Sequence, residues 1–316
     1  MQTYILRRLL VGALILFVLS ITVFILLQIV PGSDVVKLRC GLNCTPEGIA
    51  AERERLGLND PYVVQYWRWL SGVLTGDLGT SLVNYRPVSD SIRARFPVTL
   101  ELMVLTLIIT VIVGIPAGVI SAIWKNSATD YVVRVAAIFG LAVPGFWVAT
   151  LVLILPAEWW GYAPPIGRYV HLSEDPIGNL KQFLPPAAVL AVGSAAGVMR
   201  LTRSSLLEVL RQDYMRTAKA KGLRERTMII RHGLKNSLIP VVTVLGLQVS
   251  GLLGGAIIVE QIFALPGLGL FTFESLFRKD FPVVQTMTLY AGVSVVLLNL
   301  LVDVSYAWLD PRIRYS

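Results

Sequence analysis

The chain has 316 residues, 55% hydrophobic and 15% charged, with a formal net charge of +8 and a mean hydropathy of +0.67. Soluble domains carry about 25% charged residues, so this composition excludes an ordinary water-soluble globule and puts the chain in the integral membrane class. The excess of Lys and Arg is what the cytoplasmic side of a membrane protein collects, and no aromatic-basic module for nucleic acid is visible.

The first apolar run, about Leu9 to Val30, follows Arg7 and Arg8. Its positive start resembles a signal peptide, but the apolar part is too long and Pro31-Gly32 follows instead of a small-residue cleavage site. A retained first span with a cytoplasmic N-terminus is expected. Residues 31 to 96 form the longest hydrophilic segment. Cys40 and Cys44 lie in it, with Gly41 and Asn43 between them to bend the chain. If this segment faces an oxidising compartment, a local disulfide is expected; the alternative is two free thiols. "TPEGIAAERERLGLNDP" predicts a helix capped by Thr45, with Pro46 in its first turn and Gly57 at its end. "PYVVQYWRWLSGVL" predicts an amphipathic helix whose Tyr62, Tyr66, Trp67 and Trp69 suit a membrane interface or a small packed cap. "GDLGTSLVNYRPVSD" reads as turn and loop.

The second run, about Pro97 to Trp124, holds Gly114, Pro116 and Gly118, and the third, about Val132 to Leu155, holds Pro144-Gly145. Small residues let helices approach closely and a proline kinks them. Residues 156 to 183 read as a loop. A fourth run starts at the breaker Pro185-Pro186, about Leu184 to Leu201. The fifth covers about Leu238 to Val259 and the sixth about Val283 to Leu309. That makes about six spans by the length rule. An even count puts both termini on one side. Short loops on that side hold Arg7, Arg8, Lys125, Arg134, the cluster from Arg200 to Lys235, Arg312 and Arg314; the opposite side holds Arg168, Lys181, Arg278 and Lys279. The bias predicts both termini in the cytoplasm and the cysteines outside.

"DYMRTAKAKGLRERTMIIRHGLKNSLIP", residues 213 to 240, is more than a turn between spans. Asp213 is expected to cap a short helix reaching Ala220 or Lys221, with Gly222 just past its end. A second helix, about Glu225 to Lys235, would run back to the membrane, and Pro240 would sit in the first turns of the fifth span. Tyr214, Met215 and Ala218 come together at helical spacing. On chemistry alone this hairpin either docks a partner protein, through the small Ala218, Ala220 and Gly222, or lies on anionic headgroups.

This segment resembles the EAA loop of permease subunits of ATP-binding-cassette importers: a small-residue helix, a glycine, then a stretch ending in Ile239-Pro240. The namesake Glu-Ala-Ala is replaced by Arg216-Thr217-Ala218, as is usual in the peptide branch. "YILRRLL", "QIVPG", "GLNDPYVVQYWRWL", "GDLGTSL", "VEQIFALPGLG" and "LVDVSYAWLDPRIRYS" match the same branch, so the resemblance covers essentially the whole chain; "PGSD" at Pro31 to Asp34 departs from it locally. It implies an all-α integral membrane fold with six transmembrane helices of the type I ABC importer (MetI-like) kind and an extracytoplasmic segment between helices 1 and 2. Residues 1–96 would hold the first helix and that segment, and residues 97–316 a five-helix core with the coupling loop at about 202–237. The chain would be the first of two permeases of an importer of dipeptides or oligopeptides, or of glutathione or nickel, in the prokaryotic cell membrane.

In the family the loop forms a coupling helix that fits a cleft on a cytoplasmic ATPase. Carried over, Asp213, Tyr214, Arg216, Ala218, Lys219, Ala220, Lys221 and Gly222 would be the docking element. The chain lacks the G-x-x-x-x-G-K-[ST] phosphate cradle, so it is not expected to be an enzyme or to bind a cofactor. ATP with Mg²⁺ would be held by two partner ATPase domains, and a sister permease and an external binding protein would complete the assembly. Glu260, Phe263, Pro266, Gly267 and Gly269 would form either an external gate or an amphipathic surface loop. Glu260 and Asp303 sit near run ends, where hydrogen bonding at the interface suffices. An ion-coupled secondary transporter is the rival class, but the midspan polar residues are mostly Thr, Ser and Gly and no inverted repeat is evident. His171 and His232 fall on opposite sides of the membrane in this topology, and no catalytic set is visible.

Overall fold

The computed structural model of the protein describes residues 2–29, 36, 45–55, 57–163, 165, 167 and 169–309. Cys40 and Cys44 lie outside the described residues. Among those described, every regular element is helical, apart from one antiparallel bridge between Thr80 and Pro87. In chain order the helices are α1 (Gln2–Ile29), α2 (Pro46–Arg55), α3 (Tyr62–Thr75), α4 (Val88–Ile123), α5 (Ala128–Ala142), α6 (Gly145–Trp160), α7 (Pro176–Leu210), α8 (Asp213–Ala220), α9 (Glu225–Thr227), α10 (Lys235–Ile262), α11 (Leu268–Phe277) and α12 (Phe281–Leu309). A π-helical turn, Met228–Leu234, joins α9 to α10.

Five helices are long and apolar enough to cross a membrane, within Leu6–Ile29, Val88–Ile123, Pro176–Leu210, Glu225–Gly254 and Phe281–Val302. The sixth expected span is not one rod. It is the pair α5 and α6, bent by 101°. Pro144 is the physical reason: it disfavours the helical conformation at the residue before it. Val143 (φ −80°, ψ 128°) and Pro144 (φ −61°, ψ 131°) are both extended, and Gly145 starts the next helix.

The Pro185-Pro186 pair does not start the fourth span. Asp175 caps α7 ten residues earlier, accepting from the Gly178 N–H at 2.9 Å, and Pro176 takes the first helical position. The two prolines therefore fall inside a helix that membrane packing sustains. Nearly half of the expected loop at 156 to 183 is the end of α6 and the start of α7. Likewise "VSD" opens α4 rather than closing a loop. The helix expected after Thr45 has the predicted ends. Thr45 Oγ1 accepts from the Gly48 N–H at 3.2 Å, and Gly57 adopts φ +64° beyond the end of α2.

The chain divides into two compact units, Met1–Pro97 with Gly267–Leu300 and Val98–Pro266 with Leu301–Arg314. In the first, Val88, Ile92, Leu268, Phe271, Val283 and Met287 form the core. The α3 helix is packed on one face and exposed on the other. Trp67 is exposed, while Tyr66 is buried within hydrogen-bonding distance of Ser20 (2.8 Å) and edge-on to Phe24 of α1. Asp280 pins the segment before α4: it accepts from the Ser81 hydroxyl at 2.5 Å and the Leu82 N–H at 2.9 Å. Thr286 of α12 donates to the Leu78 carbonyl at 3.0 Å.

In the second unit, Val98, Leu102, Ala149, Phe183, Ala187, Val259 and Phe263 form the core. Here the small residues of the second run meet α7 closely. A Cβ on Gly114 would lie 2.9 Å from the Ala195 carbonyl oxygen, and one on Gly118 2.7 Å from that of Met199. Glycine is required at both positions by the approach of backbone to backbone.

Candidate functional site

The basic segment folds as a short helix held against the start of the fifth span. Asp213 is not the cap. Gln212 occupies that position in an extended conformation without a side-chain bond, and Asp213 is the first helical residue. Its carboxylate sits where the helix dipole favours a negative charge and lies 3.3 Å from Arg216, with both side chains exposed. The C-terminal end is a Schellman closure: the Leu223 N–H donates to Ala218 at 3.3 Å and the Gly222 N–H to Lys219 at 3.0 Å. Gly222 has φ +77°, and a Cβ there would meet nothing within 4 Å. The glycine is needed for backbone conformation, not for space.

One face of α8 is anchored. Met215 is 2% exposed, and the Tyr214 hydroxyl accepts from Asn236 Nδ2 at 2.9 Å. Tyr214 thus secures the helix to α10. Arg216, Lys219, Ala220 and Lys221 are exposed and Ala218 is half-buried. The π-helical turn lies under the hairpin with Met228, Ile229 and Gly233 buried. A Cβ on Gly233 would come within 3.2 Å of Leu206 in α7. The expected second helix does return toward the span, as one continuous path through α9 and the π turn into α10 with no break before Pro240.

Just before this hairpin the structure holds a contact that sequence reasoning missed. Arg203 of α7 grips Asp130 of α5 with two bonds, Nε to Oδ1 and Nη2 to Oδ2, each 2.9 Å. Asp130 is wholly buried and also accepts from the Ser121 hydroxyl (2.6 Å) and the Asn126 N–H (3.0 Å). A bidentate guanidinium clamp on a fully hydrogen-bonded carboxylate is the strongest form of ion pair. The available signal was a lone carboxylate three residues past the capping Ser127, at the edge of an apolar run.

The residues expected near the external side are placed differently from one another. Glu260 and Phe263 are buried in the second unit, and Thr99 donates to Glu260 Oε1 at 2.7 Å. Glu260 therefore sits in the packed core, not at a hydrated span end. α10 ends at Ile262, and Ala264 just beyond it takes φ +49°, with the Leu265 N–H donating back to the Glu260 carbonyl at 2.9 Å. Pro266 is half-buried; Gly267, which precedes α11, and Gly269 within it are buried in the first unit. "PGLG" thus carries the start of α11, with Gly267 at its N-cap. Tyr169, in the segment between α6 and α7, donates to Glu101 Oε2 at 2.8 Å. Burial, followed by that carboxylate, pushes its phenol up to about 12.

Residues 114–315 match the family described as binding-protein-dependent transport system inner membrane component, and residues 1–103 match its N-terminal counterpart. The chain belongs to this family. Among curated relatives it is similar to the oligopeptide transport system permease protein AppB of Bacillus subtilis (strain 168), 40% identical over the whole of both chains. It is also 38% identical, again over the whole of both, to the glutathione transport system permease protein GsiC of Salmonella paratyphi A (strain ATCC 9150 / SARB42). Among solved structures it shares its fold with a chain of the MetNI methionine ABC transporter in inward-facing conformations. The TM-score is 0.57 at 16% identity, covering 69% of this chain and 96% of that one. This member of the binding-protein-dependent transport family is accordingly a multi-pass permease subunit of an ABC importer, and a transport component, not an enzyme.

Proposed function

We propose that this chain is one of two permeases in an ATP-driven importer of di- and oligopeptides and that α8 is the element gripped by a cytoplasmic ATPase. What supports the docking role is the shape of α8. It is rigidly closed at Gly222, anchored by Met215 and Tyr214, and turns Arg216, Lys219 and Lys221 outward. A helix lying on lipid would bury apolar side chains in the bilayer; here the apolar Met215 is spent inside the protein. The relatives' peptide and glutathione names support a cargo with a peptide backbone, glutathione being the shorter variant of the same chemistry.

On this reading both termini face the cytoplasm, residues 1–96 provide the external segment that meets a binding protein, and residues 97–316 form the core with a sister permease. ATP with Mg²⁺ is bound by the two ATPase domains. Their closure must favour one state of the bundle through contacts at α8, because a ligand shifts an equilibrium only by its differential affinity. Glu260, Phe263, Pro266, Gly267 and Gly269 would support the external closure.

The test is Gly222→Asp in the reconstituted importer. It places a side chain at a left-handed position and a negative charge on the docking face. Uptake is expected to be abolished while the amount of inserted protein is unchanged. Wild-type uptake by this variant would refute the coupling role.

A further inference from the structure

Only Arg211 and Gln212 separate α7 from α8. The last turns of α7, the π-helical turn and α8 pack as one block. Leu206 and Val209 of α7 are buried, Gly233 of the π turn closes on Leu206, and Met215 and Tyr214 anchor α8. Arg203 stands at the root of this block, about two turns before α7 ends. Its grip on Asp130 reaches beyond α5. Asp130 also holds Ser121 at the end of α4 and the Asn126 N–H in the turn between α4 and α5. One guanidinium therefore ties the block to the start of one helix and the end of another.

The rest of the contact between α5 and α7 is of another kind. Ala137 and Gly140 of α5 meet Ala196 and Met199 of α7 as small or flexible apolar groups. Beside them an open apolar groove of about 400 Å³ runs between α4, α5 and α7. Apolar contact is non-directional, and packed helices slide past one another by small shear steps across it. The two Arg203 bonds fix both a distance and an angle. Stability does not call for the charges, because an apolar pair of similar volume often holds as well. What an apolar pair does not supply is a fixed register between the helices. At its other end α5 meets the extended residues Val143 and Pro144, where a rotation of the helix can be taken up.

We propose that Asp130 and Arg203 are positioning residues for energy coupling. The pair carries a displacement of α8 into α5 and the end of α4, with the Pro144 break as the hinge. The inference rests on α8 being the element that the ATPase grips, and it adds the joint through which that movement leaves the block. Without the pair, α7 moves with α8 while α5 slips against it over the small apolar face. ATP is then hydrolysed without the full rearrangement of the bundle.

The test uses the complete importer in proteoliposomes with a defined tripeptide. It reads peptide imported per ATP hydrolysed, beside Tm in detergent. The double variant Asp130→Leu/Arg203→Met keeps the volume but has no directional bond. Its Tm is expected near that of wild type, while peptide imported per ATP falls roughly tenfold, within the usual range of coupling between sites. A merely structural pair would behave otherwise, with import per ATP recovering together with Tm. Arg203→Lys keeps the charge and loses the two-pronged geometry. It should lower the same ratio roughly fivefold, and it decides the question alone where the double variant does not insert. Gly222→Asp reads the docking role of α8 separately. With its uptake abolished, a stable double variant or an Arg203→Lys variant that imports the wild-type amount of peptide per ATP overturns the joint and leaves the docking role standing. Wild-type uptake by Gly222→Asp overturns both.

Discussion

Replacing Arg203 with Ala should be among the most damaging single changes in the second unit. It deletes both guanidinium bonds to Asp130 and leaves a carboxylate with 0% exposure holding only the Ser121 hydroxyl and the Asn126 N–H. Breaking a buried ion pair from one side costs about 3–5 kcal/mol, because the remaining charge is uncompensated. The Arg203 side chain is 19% exposed, so water reaches one end of the pair and the lower end of that range applies. Asp130→Asn should cost less, because the orphaned guanidinium can turn toward solvent. The double variant Asp130→Leu/Arg203→Met should recover most of the loss, since a well-packed apolar pair of similar volume is often neutral or better. The assay is thermal unfolding of the purified complex in detergent, read as a double-mutant cycle. Arg203→Ala should lower Tm by roughly 6–12 °C, taking about 3 kcal/mol at 2–4 °C each. A shift of under about 1 °C, or a double variant no more stable than Arg203→Ala, would refute the claim that this pair clamps α5 to α7.

Ala264 holds a left-handed conformation that costs a residue with a Cβ about 1 kcal/mol. Ala264→Gly should therefore leave stability unchanged or raise it slightly, with Tm as the readout, whereas Ala264→Val should lower it. Asp280→Ala strands the Ser81 hydroxyl and the Leu82 N–H, and should cost about 1–3 kcal/mol for each group left unpaired; faster hydrogen exchange across residues 78–87 is the check. Cys40 and Cys44 should resist alkylation until reductant is added, and mass spectrometry that finds two modified thiols without reductant contradicts the bridge.

What could be read in advance was what local rules govern. Thr45, Gly57 and Gly222 announce helix ends because a capping oxygen or a left-handed backbone is a requirement of one or two residues. The apolar runs announce spans because length in hydrocarbon is a property of the run itself. The errors arose where a local rule was applied without its neighbours. Pro185-Pro186 and Pro144 carry the same intrinsic penalty. One pair is absorbed nine residues into a helix already started by Asp175 and Pro176, and the other ends a helix next to a glycine. The site contacts were hidden for a different reason. Asp130 and Arg203 are 73 residues apart, and Ser81 and Asp280 are 199 apart. Each of these four residues, taken alone, reads as an ordinary surface polar group beside a span. Only the fold reveals that both carboxylates are buried with their partners supplied.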